Sequence, residues 1–257
     1  MKLKILVIAT LVANFFTLAA TSQEQTPRLE TKDRFVPVIG RNGMVTSREK
    51  IASQVGVDIL KKGGNAVDAA VAVGFAMAVT YPQAGNLGGG GFMVIHLAKE
   101  NKSIAIDYRE MAPAAASRDM FLNADGTVNE MSSRFTHKAT GVPGTVAGMA
   151  HALKNYGTMS LQEVMRPAHD LALAGFPMYI YLEGSLNARK ERMMQNDAAA
   201  KVFYKKDGSS YKYGETFKQK DLAWSLKRIM EGGEKEFYHG EIAERIVADM
   251  EANGRIG

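Results

Sequence analysis

Past a polar stretch from Gln23 to Asn42 that is punctuated by Pro27 and Pro37, apolar residues begin to recur at regular intervals. Ile51, Val55 and Ile59-Leu60 fall at i, i+4 and i+8, the spacing of one helix face. Ser47 is the predicted N-cap of that helix and Gly63-Gly64 its stop. A second helix is predicted over Ala66–Val79, with Asn65 as cap and Asp68 at the third helical position, as in a capping box. Its body is Ala and Val on every side with Gly74 inside, so it is expected to be buried and closely packed. Phe92–Leu97 and Ser103–Tyr108 are short runs of β-formers joined by charged residues, and they predict a hairpin. Further helices are predicted at Thr145–Tyr156, Leu161–Ala174 (Ser160 cap, Glu163 completing its box), Leu222–Met230 and Glu241–Glu251. Between Phe176 and Phe217 the pattern is too weak to assign, and the chain shows no internal repeat.

The first residues follow a different rule. Lys2 and Lys4 precede an apolar stretch, Ile5–Leu18, and Ala19-Ala20-Thr21-Ser22 supplies small residues for a signal peptidase. The apolar run is shorter than the roughly 20 residues that cross a bilayer core, which favours a cleaved leader, residues 1–22, over an anchor. Residues 23–42 then form a mature N-terminal arm, and residues 43–257 the folded part. The expected location is periplasmic or extracellular. The formal charge of +5 falls to +3 without Lys2 and Lys4, too little to argue for nucleic acid or an anionic membrane. With no cysteine, disulfides and zinc–thiolate sites are excluded.

Gly85-Asn86-Leu87-Gly88-Gly89-Gly90-Gly91 is the most conspicuous motif. A phosphate loop needs Lys and Ser or Thr after its glycines and opens a helix; here Phe92-Met93 follow and a strand begins. The glycines are better explained by positive φ and close backbone approach at a crowded turn. The five histidines, at 96, 137, 151, 169 and 239, show no metal-binding spacing, and no Gly-x-Ser-x-Gly elbow is present. Arg109 stands at the end of a predicted strand between Asp107 and Glu110. Its guanidinium offers paired donors that match a carboxylate. On pattern alone the default for it is a surface ion pair.

Four blocks together resemble the γ-glutamyltransferases (γ-glutamyl transpeptidases, glutathione hydrolases). They are Gly63–Ala70, Pro82–Met93, Asp107–Pro113 and Gly141–Gly148, in the family's order and spacing. The resemblance covers the chain from about Gly43 onward. It implies an α+β fold, the four-layer αββα N-terminal-nucleophile hydrolase fold, incomplete in this chain as the N-terminal part of the large subunit. It implies a precursor that cleaves itself to expose a threonine. That threonine attacks a γ-glutamyl amide and passes the acyl group to water, an amino acid or a peptide. No cofactor or metal is implied. The implied partners are γ-glutamyl compounds such as glutathione, acceptor amino acids or peptides, and the small subunit of the same precursor. The substrate contact that the resemblance places within these residues is Arg109, binding the α-carboxylate of the glutamyl group. The nucleophile is expected beyond Gly257, so these residues alone are expected to be inactive. Thr136-His137 superficially resembles a processing site but precedes the Val142-Pro143-Gly144-Thr145 block and lacks the rest of that motif. A cephalosporin or glutaryl acylase of the same fold, and a non-catalytic exported fragment, are the alternatives.

Overall fold

A computed structural model of the chain describes residues 38–254. The predicted leader, residues 23–37 of the arm and Arg255–Gly257 lie outside the described residues. Val38–Gly40 are the described end of a first unit, Met1–Gly40, and are exposed; a second unit runs from Arg41.

Helix α1 (Lys50–Lys61) lies against α2 (Ala66–Thr80), the most buried element. Val71, Ala72, Phe75, Ala76 and Val79 of α2 are fully enclosed. A helix apolar on all sides must be covered on all sides, and α4 (Thr145–Tyr156) and α5 (Leu161–Ala174) complete its cover. The predicted caps of α2 and α5 form: Asn65 and Asp68 make one reciprocal box, Ser160 and Glu163 the other. The cap of α1 is a correction. Glu49, not Ser47, occupies it, and its carboxylate accepts from the Ile51 and Ala52 N–H groups at 2.9 and 3.0 Å. The Ser47 hydroxyl is engaged elsewhere, donating to the Glu49 carbonyl at 2.8 Å.

Asp68 has no exposed surface. Its carboxylate accepts from Asn65 N–H (2.7 Å), Thr158 N–H (2.8 Å), Thr158 hydroxyl (2.6 Å) and Met159 N–H (3.1 Å). It thereby ties the start of α2 to the α4–α5 turn. Burial alone would raise its pKa. The bonds from Thr158, Asn65 and Met159 outweigh burial and hold the carboxyl below its usual range.

Strands β1 (Phe92–Leu97) and β2 (Lys102–Asp107) form the predicted hairpin, antiparallel, with Phe92 opposite Asp107 and Val94 opposite Ala105. A second small sheet pairs β3 (Phe176–Pro177) with β4 (Thr216–Phe217). Among the described residues the strands form these two separate pairs, so only part of the sheet content of an αββα architecture is present. The stretch between Phe176 and Phe217 holds two helices that the pattern did not predict, α6 (Ile180–Met193) and α7 (Asp197–Phe203). Phe176 and Tyr211 pack edge-on against Phe217, with ring centroids 5.8 and 5.2 Å away. The chain closes with α8 (Lys220–Gly232), α9 (Glu234–His239) and α10 (Glu241–Asn253). A short helix, α3 (Glu130–Phe135), was also unpredicted and buries no residue. No helix among the described residues is long and apolar enough to cross a membrane.

Candidate functional site

The glycine run, the Asp107–Pro113 block and the Gly141–Gly148 block meet in space, and backbone groups make most of the junction. Gly91 and Tyr108 exchange two main-chain bonds, at 3.3 and 3.0 Å. The Gly89 carbonyl accepts from the N–H groups of Gly144 and Thr145 at 2.8 and 2.9 Å, which satisfies free donors at the start of α4. Met111 and Val142 exchange another pair, at 3.2 and 2.8 Å. Such proximity leaves no room for side chains. A Cβ on Gly90 or Gly144 would collide with the Tyr108 carbonyl, and one on Gly148 would enter the Tyr108 ring. None of Gly85 or Gly88–Gly91 has positive φ. The expected positive φ is therefore corrected, and close backbone approach alone accounts for the run.

The N-terminus of α4 has no side-chain cap, because Gly144 stands at the cap position. The hydroxyl of Tyr238, on α9, fills the gap. It accepts from the Ala147 N–H at 3.1 Å and donates to the Pro143 carbonyl at 3.0 Å.

Arg109 emerges from this junction. Its backbone N–H donates to Asp107 Oδ1 at 3.0 Å, which fixes the turn after β2. Its Nε donates to Glu110 Oε2 at 3.3 Å, and the guanidinium lies 5.7 Å from the centre of the Phe92 ring. Its two Nη groups make no hydrogen bond among the described residues, and 62% of the side chain is exposed. Glu110's own backbone N–H lowers the pKa of its carboxyl, with further help from the Arg109 guanidinium and the Gly90 N–H. Glu110 therefore stays charged and holds one edge of the Arg109 fork. The other edge is open.

Arg109 lines a groove of about 500 Å³, within the size range of small-molecule sites. Its walls include Gly88, Met111, Pro113, Met120, Phe121 and Gly141, and its remaining charges are Glu110 and Lys138. Chemically, this is a place for a carboxylate, with charged, main-chain and apolar groups all in the wall. Lys138 and the half-buried phenol of Tyr108 were not singled out from the sequence. For Lys138 the only available signal was its place three residues before Gly141.

Thr136 and His137 are not paired with each other. The Thr136 hydroxyl donates to the Ser132 carbonyl at 2.8 Å, and His137 Nε2 meets Asp249 Oδ2 at 2.9 Å. His96 touches Ser103, and His169 touches Asp170. Among the described residues, no three His, Asp or Glu side chains gather as a metal site would require.

Comparison with known proteins agrees with the four blocks. Residues 52–257 match the family model for gamma-glutamyltranspeptidase. The glutathione hydrolase proenzyme of Escherichia coli (strain K12) is 52% identical over 223 residues, which is 87% of this chain and 38% of that protein. Among solved structures, Helicobacter pylori gamma-glutamyltranspeptidase superposes with a TM-score of 0.83 at 45% identity, over 86% of this chain and 63% of that one. The Pseudomonas nitroreducens gamma-glutamyltranspeptidase complexed with L-DON gives a TM-score of 0.75 at 41% identity, over 84% and 62%. These likenesses place the chain in the N-terminal-nucleophile hydrolase fold of those enzymes, of which it spans a part. With four-fifths of its length inside the family model, the chain belongs to the gamma-glutamyltranspeptidase family.

Proposed function

We propose that these residues supply the carboxylate-binding wall of an enzyme that transfers or hydrolyses γ-glutamyl groups, with Arg109 holding the donor's α-carboxylate. The observation that carries this reading is the half-used fork of Arg109, in the wall of a groove and braced by Glu110. A γ-glutamyl group differs from other acyl groups by its free α-amino and α-carboxylate ends. A fixed planar cation at one end therefore selects it and sets the amide at a defined distance from a nucleophile. The nucleophile in this reading is the N-terminal threonine of a small subunit, released from the same precursor by self-cleavage and acting with its own α-amino group as base.

The hairpin supports the partner in this scheme. Phe92 and Val94, on one face of β1, are 63% and 76% exposed, and Met111 and Val142 nearby are also exposed. Such a cluster beside the Arg109 groove suits cover by the small subunit. In this reading residues 1–22 direct export, and residues 43–257 form the N-terminal part of the large subunit.

The test is Arg109→Ala in the full-length precursor. The expected outcome is intact maturation into two subunits and a KM for γ-glutamyl donors raised by about a hundredfold, the scale of a lost charge-assisted pair. An unchanged KM in correctly matured enzyme would refute the assignment.

A further inference from the structure

The groove holds three ionisable groups: Arg109, Glu110 and Lys138. Arg109 and Glu110 are bonded to each other and cancel. Lys138 has no ion-pair partner among the described residues and leaves the groove with one uncompensated positive charge. A γ-glutamyl group alone is a zwitterion of no net charge, and its carboxylate already matches the open edge of Arg109. One anionic group more would balance the charge of these lining residues.

We propose that Lys138 is a specificity-determining residue that recognises a second carboxylate, at the end of the donor remote from the glutamyl α-carbon, and so selects γ-glutamyl peptides over neutral γ-glutamyl amides. The proposal rests on the reading of Arg109 given above. Lys138 sits in a single 3-10 turn, His137–Ala139, that Thr140 N–H closes on the His137 carbonyl at 3.0 Å and that is anchored just before the lysine. The Thr136 hydroxyl is bonded back to Ser132, and His137 reaches across to Asp249 of α10. That anchoring limits where the ammonium can go, although its long stem still lets it meet carboxylates at somewhat different reach. The rest of the groove offers main chain and apolar side chains such as Met120 and Phe121. These suit an uncharged linker between two carboxylates.

The experiment compares two donors in the matured full-length enzyme. Glutathione carries a remote carboxylate; γ-glutamyl-p-nitroanilide carries none. Lys138→Ala is expected to raise the KM for glutathione about two- to fivefold, as for one exposed ion pair, and to leave the anilide unchanged. Lys138→Arg is expected to restore glutathione, and added salt should weaken glutathione binding more in the wild type than in Lys138→Ala. Lys138→Gln keeps much of the stem and serves the same comparison should the alanine variant fail to mature. Equal shifts for both donors, or none for either, overturn the proposal. Arg109→Ala separates this outcome from failure of the parent reading, because it is expected to impair both donors alike.

Discussion

At Asp68 the carboxylate is sealed from solvent and accepts four hydrogen bonds, from Asn65, Thr158 and Met159. At Arg109 the guanidinium is mostly exposed, and only its Nε is engaged. Both charged groups are set in place by backbone, one at a helix start and one after a strand. The fold uses up the whole of the first and leaves half of the second over. A buried charge with every lone pair satisfied binds the structure together, and removing it strands its former partners. A charge braced on one side and open on the other stabilises little but is ready for a ligand. The contrast separates a residue the fold consumes from one it leaves available, as the role proposed for Arg109 requires, although both fall inside motifs typical of the family.

Substitutions can break this contrast, and the largest effect is expected at Asp68. Asp68→Ala leaves three N–H groups and a hydroxyl without their acceptor and should cost about 3 kcal/mol, read as a lower urea midpoint. The KM of the fraction that remains folded should not move. Gly148→Ala comes next. Its methyl group would enter the space of the Tyr108 ring, costing about 2 kcal/mol as overpacking does. Because Tyr108 precedes Arg109, this variant should also raise KM, so that stability and binding fall together. A normal KM would mean that the turn carrying Arg109 tolerates a displaced Tyr108 ring.

A smaller and graded effect is expected with pH. The folded pKa of Asp68 lies below its unfolded value of about 3.9. Its contribution is therefore complete above that value and fades as pH falls through the folded one. The stability gap between the wild type and Asp68→Asn should be level from neutral pH down to about pH 5, then narrow at more acid pH. A gap that widens on acidification would reverse the sign. The smallest effect is the stability change of Arg109→Ala, expected below about 0.5 kcal/mol because an exposed pair contributes little. A loss several times larger would place Arg109 with Asp68 rather than opposite it.

Sequence and structure agree best where one local signal suffices. The Asn65–Asp68 and Ser160–Glu163 boxes, the all-apolar body of α2 and the β1–β2 hairpin were legible because each depends on residues a few positions apart. The cap of α1 was misplaced because serine is the usual choice, and here its hydroxyl serves the Glu49 carbonyl instead. Helices α6 and α7 went unseen because α6 buries only Leu182 and Leu186 and α7 buries nothing fully, so neither carries a strong apolar stripe. Of the site, Arg109 was named through family resemblance. Its surroundings could not be, because they are main-chain bonds between glycines and residues far along the chain, such as Gly89 with Gly144. Hydrophobic periodicity carries no trace of such contacts.

The hydroxyl of Tyr238 has a consequence for biosynthesis. It completes the start of α4 from a position 91 residues after Ala147. A ribosome making this chain will have finished the hairpin, the arginine turn and α4 itself long before that tyrosine emerges. Until then the first turn of α4 must rely on water for the bond that Tyr238 later makes, and the arginine turn that leans on it waits for the same late arrival.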